Sequence, residues 1–221
     1  MIMSRQIILD TETTGFKPSD GHRLIEIGCV EMINRELTGN HFHHYINPGR
    51  DIDAGAQAVH GITEKFLIGK PVFAEILPEL LTFIRGAELI IHNAPFDVGF
   101  LNHEFQLADS ECKRVTDICQ IFDTLTYARK KHPGQKNNLD ALCNRYQVNN
   151  KHRELHGAML DATLLAHVYL AMTGGQKQLF EEETQSTLNV SATNIRRVEA
   201  RGSKKVIRAT AEELEAHEKL V

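Results

Sequence analysis

The chain lacks several features that assign a protein to a broad class at once. No apolar run approaches the roughly 18–20 residues of a membrane-spanning helix, and the N-terminal residues lead into a polar motif instead of a secretion signal. The four cysteines contain no Cys-x-x-Cys pair and no disulfide-scaffold density, which favours free thiols in a reducing compartment. We therefore expect a cytoplasmic protein that makes no membrane contact.

A surplus of basic residues is also missing. Lys and Arg number 25 against 29 Asp and Glu, so the 221 residues carry a formal net charge of −4. Nucleic-acid-binding domains usually present a basic surface, and the overall charge taken alone argues against DNA or RNA. Apolar content of 42% and charged content of 24% are ordinary for a globular chain.

Apolar patterning predicts strands first, then alternating helices and strands. The predicted strands cover 6–10, 24–33, 38–47, 88–92 and 115–119, and the predicted helices cover 73–84, 94–107, 119–130, 138–146 and 156–172. Because the first three strands follow one another closely, we expect an antiparallel meander. The whole order predicts an α/β fold with a mixed sheet flanked by helices.

The composition changes after Gly174, where a Thr-Gly-Gly sequence ends the last predicted helix. Residues 175–195 contain few core-forming side chains, which predicts a flexible linker. Residues 196–221 carry a basic run and then an acidic amphipathic end, which predicts a tail that orders on a partner. A plain solvated tail is the alternative. The folded domain is thus expected to span 1–174.

Two carboxylates stand at the end of the first predicted strand. Asp10 and Glu12 are two residues apart, and this period places both side chains on one face of a strand. Their charges repel each other unless a cation lies between them. Oxygen ligands of this kind suit Mg²⁺ or Mn²⁺. The Thr-Thr-Gly sequence that follows is too polar and small to contribute to a hydrophobic core, and it is typical of a functional site.

Three further candidates stand at the starts of later helices. Asp97 lies near the start of one predicted helix, and His156 and Asp161 lie near the start of the last. Element ends are where binding and catalytic side chains are commonly placed. Each residue alone also has an ordinary explanation, since a lone Asp often caps a helix.

A histidine-rich stretch, His41-Phe42-His43-His44, raises the question of zinc. No nearby cysteine completes a tetrahedral ligand set, and the spacing is that of a strand. We interpret this stretch as a solvated strand face.

Together, four sequence blocks resemble the DnaQ-like 3′–5′ exonucleases of the DEDDh type. The blocks are Asp10-x-Glu12-Thr-Thr-Gly, Val59-His60-Gly-Ile-Thr, His92-Asn-Ala-x-Phe-Asp97 with a following Gly-Phe-Leu, and His156-x-Ala-x-x-Asp161. They occur in the family order and span almost all of residues 5–172. The resemblance implies a ribonuclease H-like core and phosphodiester hydrolysis with two divalent metal ions.

The resemblance also implies a role for each matching residue. Asp10, Glu12, Asp97 and Asp161 would hold the two Mg²⁺ or Mn²⁺ ions, and His156 would be the general base, since imidazole titrates near neutrality. The charges of these four acids would then be neutralised by the metal ions, which attract phosphate. The net negative charge of the chain therefore does not exclude a nucleic-acid substrate. The implied substrate-binding residues are Asp10, Thr11, Glu12, Thr13, Gly55, His60 and Asp161. Gly55 would make contact through its backbone only.

The family context implies a proofreading subunit of a bacterial replicative DNA polymerase, which trims mispaired nucleotides from a single-stranded 3′ end. The implied partners are the polymerase (alpha) subunit, the sliding (beta) clamp and a theta-like small subunit, at the replisome on the nucleoid. Two alternatives remain open. One is a stand-alone 3′ exonuclease for DNA or RNA, against which the linker and tail argue. The other is a structural tether, against which the complete acid and histidine set argues.

A pentapeptide in the predicted linker resembles the bacterial sliding-clamp-binding peptide. It runs from Gln176 through Leu179 and Phe180. Exposed Leu and Phe in a polar linker have no core to join, which favours binding of the peptide in a groove.

Replacing Leu179 and Phe180 together with Ala should weaken binding to the clamp, because both apolar anchors are lost. Hydrolysis of a free single-stranded 3′ end should stay at the level of the unchanged chain. Clamp pull-down and nuclease assays on the same preparations measure both effects. Undiminished clamp binding would contradict the assignment of the peptide.

Overall fold

The computed structural model describes residues 5–150 and 155–174. Its strands are β1 (Arg5–Thr13), β2 (Leu24–Ile33), β3 (Glu36–Tyr45), β4 (Glu88–Ile91) and β5 (Gln120–Asp123). Its helices are α1 (Ala54–His60), α2 (Glu64–Leu67), α3 (Phe73–Ile84), α4 (Ala94–Leu107), α5 (Thr124–Lys131), α6 (Leu139–Tyr146) and α7 (Ala158–Thr173). The predicted linker and tail, 175–221, lie outside the described residues.

The strands form one mixed sheet in the order β3-β2-β1-β4-β5. β1, β2 and β3 are antiparallel neighbours, as the predicted meander requires. β4 runs parallel to β1, and β5 runs parallel to β4. The carboxyl ends of β1, β4 and β5 therefore meet at one edge of the sheet, which we call the active edge. Ligand sites in open α/β sheets lie at such an edge.

Apolar side chains cover both faces of the sheet. One face packs on α3 and α4 through residues such as Leu9, Leu80 and Phe100. The other packs on α6 and α7 through residues such as Ile8 and Leu165. This arrangement confirms the predicted mixed sheet flanked by helices. Within the described part of the chain, no helix is long and apolar enough to cross a membrane.

One predicted strand is wrong, and two short helices were not predicted. Residues 115–119 form a 3₁₀ turn at Val115–Asp117, and the strand begins only at Gln120. Val115 is buried, which explains its apolar character, but the Asn102 side chain accepts a hydrogen bond from its backbone N–H and holds it in a turn. The helices α1 and α2 carry too few buried residues to show a periodic apolar stripe.

The N-terminal end of α7 lies directly on β2 at Gly28. A Cβ atom at this position would overlap the backbone of Ala158 and Met159. Gly28 is the register partner of Asp10 on β1. Glycine therefore permits the close approach that brings the start of α7 over the active edge.

Two cations bind the opposite, C-terminal end of α7. Arg35 donates to the Leu170 carbonyl and to Thr173 Oγ1, both at 2.9 Å. Lys131 Nζ donates to the Met172 carbonyl. Cations are favourable here, because the last carbonyl groups of a helix carry partial negative charge and lack partners within the helix.

Replacing Gly28 with Ala should destabilise the fold by about 1–3 kcal/mol, because the methyl group displaces α7. Gly99 in α4 is the matched control, since a Cβ there meets no atom within 4 Å. Gly99→Ala should be neutral or stabilise by about 0.5–1 kcal/mol through helix propensity. Urea unfolding of both variants measures the difference, and equal stabilities would contradict the close approach.

Candidate active site

Three of the predicted site residues form a compact group at the active edge. Glu12 on β1, Asp161 in the first turn of α7 and His156 just before α7 offer ligand atoms that all lie within 4.8 Å of one another. His156 Nδ1 is 3.5 Å from Asp161 Oδ2. The two carboxylates are buried and the histidine is exposed. This combination of buried acids and an open imidazole suits a metal site that a substrate can reach.

Asp97 joins the group through the residue that separates Asp10 from Glu12. Thr11 Oγ1 donates a 2.7 Å hydrogen bond to Asp97 Oδ1, and Asp97 is only 3% exposed. Asp10 is half-buried and shares its strand face with Glu12. Asp10 and Asp97 both lie close enough to the Cys29 thiol to affect its ionisation. The pKa of this thiol is raised mainly by burial and further by the two carboxylates. All four predicted acids therefore lie on or beside the last residues of β1.

Burial dominates the ionisation of Asp97. Its pKa rises from 3.8 to about 7, because a carboxylate loses hydration when it is enclosed. The hydrogen bond from Thr11 opposes this shift, and the Asp123 carboxylate adds to it. A divalent cation beside Asp97 would stabilise the ionised form, so the donor set fits Mg²⁺ or Mn²⁺.

Asp123 holds the turn that carries Asp97. It ends β5, accepts a hydrogen bond from the Asn93 backbone N–H at 3.1 Å, and caps α5 through the Leu125 N–H at 3.0 Å. Asn93 has the left-handed φ of 67°, which needs such support. Burial opposes ionisation of Asp123, but hydrogen bonds from Thr126 and nearby backbone groups lower its pKa overall.

His60 lies at the C-terminal end of α1 and faces the same region. It is 5% exposed, and its Nδ1 accepts a 3.0 Å hydrogen bond from the Ile62 N–H. Its Nε2 is buried and makes no hydrogen bond to the described residues. Burial lowers the pKa of His60, a contact with the Thr13 backbone opposes this, and the neighbouring His156 lowers it further. A buried imidazole beside the acids is suited to contact with a ligand.

A backbone contact places His156 beside His60. The His156 N–H donates to the Val59 carbonyl at 3.1 Å, so the residue before His60 anchors the histidine that precedes α7. Leu155 packs over Gly61, where a Cβ would meet its methyl group. The two predicted histidines are thereby brought together from positions nearly one hundred residues apart in sequence.

The turn after β1 holds the other end of α1. The Thr14 carbonyl accepts from the Asp53 N–H at 2.9 Å, and Asp53 is the residue before α1. Thr13 is buried and donates to the Gly15 carbonyl at 2.7 Å. Gly55 is exposed in the first turn of α1, with open space where a Cβ would stand. The remaining predicted residues, Gln176, Leu179 and Phe180, lie outside the described part of the chain.

Four residues of the site region were not predicted. Gly28 permits the approach of α7, and Asp123 supports the turn before Asp97. Glu26, which is buried, and His43, which is partly exposed, form a pair on the sheet face that carries Glu12. A signal was present for Glu26, since it is one of two acids, with Glu31, inside the apolar run 24–33.

Comparison with known proteins identifies the family. A model of the exonuclease family matches residues 7–169, most of the chain. The chain belongs to the exonuclease family. Over 222 residues this exonuclease is 50% identical to the DNA polymerase III subunit epsilon of Escherichia coli strain K12. The aligned region covers 98% of this chain and 91% of that protein. It is 49% identical to the Haemophilus influenzae epsilon subunit, over 97% and 88% of the respective lengths.

Solved exonucleases share the fold. Exonuclease X in complex with 5′-overhanging duplex DNA superposes with a TM-score of 0.61 at 25% identity, over 77% of this chain and 92% of that one. The zinc-bound complex of E. coli exonuclease I with single-stranded DNA gives 0.69 at 17% identity, over 82% of this chain and 43% of that one. The chain is accordingly a nuclease of the hydrolase class, and its family depends on divalent metal ions.

The raised pKa of Asp97 predicts a pH-dependent stability of the metal-free exonuclease. The folded chain keeps the Asp97 proton to a higher pH than the unfolded chain, so this residue makes folding less favourable as pH rises from about 4 to about 7. Asp97→Asn removes the effect. The Tm of the variant minus that of the unchanged chain should therefore grow between about pH 5 and about pH 7.5 in a chelator.

The control for that measurement is Asp109→Asn, because the Asp109 side chain is 98% exposed. Its Tm difference should not change with pH. A pH-independent difference for Asp97→Asn would show that its burial does not perturb ionisation.

Proposed function

We propose that this exonuclease proofreads DNA synthesis by removing mispaired nucleotides from a single-stranded 3′ end, as a subunit of a bacterial DNA polymerase III. The observation that carries the proposal is the group of Glu12, His156 and Asp161 within 4.8 Å at the active edge, with Asp97 fixed to Thr11 beside it. Similarity to epsilon subunits over nearly the whole chain supports the assignment to a replicative polymerase.

Asp10, Glu12, Asp97 and Asp161 are the proposed ligands of two Mg²⁺ or Mn²⁺ ions. Their burial at one edge disfavours four negative charges unless cations neutralise them. When bound, two such ions stabilise the charge on the attacking and leaving oxygens of a phosphodiester. The carboxylates set the position and charge of this site, while the exposed side near His156 leaves room for DNA.

His156 is the proposed general base. Its imidazole stands at the solvent-facing side of the group and is oriented by Asp161, 3.5 Å from Nδ1. The backbone bond to Val59 limits its movement. A neutral imidazole accepts a proton from water near neutral pH, which a carboxamide at this position cannot do.

The terminal nucleotide is proposed to bind between β1 and α1. His60 offers a buried Nε2 that has no hydrogen bond to the described residues. The backbone of Thr11 and Thr13 lines the same side, and Gly55 leaves open space at the far end of α1. Asp10, Glu12 and Asp161 would meet the scissile phosphate through the metal ions.

The proposed partners are the polymerase III alpha subunit, the beta sliding clamp and a theta-like small subunit. The sequence of 175–221, with its clamp-like peptide at 176–180 and its basic and amphipathic end, supports the first two. These contacts imply a location in the cytoplasm, at the replisome.

Asp10→Ala and Asp161→Ala should each abolish Mg²⁺- or Mn²⁺-dependent trimming of a 5′-labelled single strand, because the metal site loses charge and a ligand. Asp109→Ala, at an exposed side chain, should trim normally. Thermal melts should show that all three variants are folded. Full activity in either site variant would refute the metal assignment.

His156→Ala and His156→Gln should both lose turnover while retaining Mn²⁺ binding. A positioned general base contributes about 10²–10⁴-fold to rate. If His156→Gln turned over as fast as the unchanged chain, the residue would only position substrate. Single-turnover trimming and Mn²⁺ titration by calorimetry separate the two roles.

A further inference from the structure

Glu26 is a buried acid that the proposed chemistry leaves without a role. It is the third residue of β2, between Ile25 and Ile27, and is 2% exposed. Burial of a carboxylate is unfavourable unless hydrogen bonds or opposite charge compensate it. The side chains and backbone groups that surround Glu26 therefore indicate its role.

Two residues of β3 lie beside the Glu26 carboxylate. His43 Nε2 is 2.8 Å from Glu26 Oε1, and the pKa of Tyr45 is raised first by burial and next by the Glu26 carboxylate. An ionised carboxylate only accepts hydrogen bonds, so His43 Nε2 carries the proton in this contact. The His43 and Tyr45 rings also meet edge to face at 5.0 Å. His43 thus holds Glu26 in one orientation from the β3 side of the sheet.

On the other side, Glu26 borders the active site. It is the register partner of Glu12 on β1, and directly opposite residues of an antiparallel pair share one face of the sheet. Glu26 Oε2 lies 3.9 Å from the place where a Cβ on Gly157 would stand. Gly157 separates His156 from the first residue of α7.

The start of α7 needs a negative group. Its N-cap residue, Gly157, has no side chain to accept hydrogen bonds from the first turn, and those N–H groups lack partners within the helix. The partial positive charge of a helix N-terminus is stabilised by a nearby anion. The Glu26 carboxylate comes from the sheet to this point, next to the Gly28 contact that seats the helix.

We propose that Glu26, oriented by His43, is a positioning residue of the nuclease: it anchors the N-terminal end of α7 and thereby sets the positions of His156 and Asp161. The proposal rests on the metal site proposed above. It adds Glu26 and His43 as residues that act through His156 and Asp161 and not on the substrate directly.

Neighbouring histidines on β3 provide a matched control. His44 points to the opposite sheet face, where its Nε2 lies 3.4 Å from Glu79 Oε2, a side chain that is 68% exposed. His43 with Glu26 and His44 with Glu79 are therefore two histidine–carboxylate pairs of the same chemistry on one strand. Only the first pair faces α7.

The test compares Glu26→Gln and His43→Ala with Glu79→Gln and His44→Ala in the full chain. Glu26→Gln keeps the side-chain volume and removes the charge. Residues that orient metal ligands typically contribute about 10–100-fold to metal affinity or activity. We expect Glu26→Gln to lower turnover and Mn²⁺ affinity by a factor in that range, with KM for single-stranded DNA unchanged. His43→Ala should change both in the same direction by a smaller factor.

The double variant Glu26→Gln with His43→Ala should lose no more than Glu26→Gln alone, because the two residues act as a unit. Glu79→Gln and His44→Ala should remain within about twofold of the unchanged chain, as exposed pairs contribute little. Mn²⁺ affinity is measured by calorimetry without DNA. It therefore tests the positioning role even if the unchanged chain were found not to trim DNA, an outcome that would refute only the proposed function.

Two results would overturn the positioning role. One is turnover and Mn²⁺ affinity of Glu26→Gln equal to those of the unchanged chain. The other is an equal loss in the His44 and Glu79 variants, which would mark a general disturbance of β3. If Glu26→Gln did not fold, His43→Ala would decide, because the His43 side chain is 29% exposed and its replacement disturbs the core less.

Discussion

The rest of the structure depends on the enclosure of carboxylates at the active edge. Glu12, Asp97 and Asp161 are buried and Asp10 is half-buried near the end of one strand, and enclosure is unfavourable for a carboxylate charge. Burial is the main cause of the raised pKa of Asp97, and the Asp123 carboxylate adds to it. Such a cluster persists only if packing elsewhere supplies the stability, and both faces of the sheet are accordingly filled with apolar side chains.

The four acids come from three elements, β1, α4 and α7, so the geometry of the site depends on the contacts between these elements. Thr11 fixes Asp97 to β1, and Asp123 fixes the turn from which α4 starts. Gly28 sets how close α7 comes to the sheet. These contacts are short and specific, and none of them involves the reacting atoms. Preorganisation of this kind limits the reorganisation that a substrate must induce on binding.

Sequence patterns predicted the elements whose apolar residues repeat at regular intervals. α3 and α4 have the predicted bounds because their buried residues recur every three or four positions, and β2 has them because it is a continuous run buried on both faces. Val115 misled the prediction, since it is buried without belonging to a strand. The acids of the site were visible as charges at element ends. Gly28 and the partners of Glu26 were not, because a close approach or a cross-strand hydrogen bond exists only once distant segments are packed together.

The length of α7 determines how far Gly174 lies from the acids of the active edge. The helix has 16 residues and is therefore about 24 Å long. Its first turn carries Asp161, and its last turn is held by Arg35 and Lys131. Gly174 therefore stands a full helix length from the proposed metal site, beside the two cations that hold the last turn of α7. A force applied at Gly174 would act first on this anchored turn and only then on the turn that carries Asp161.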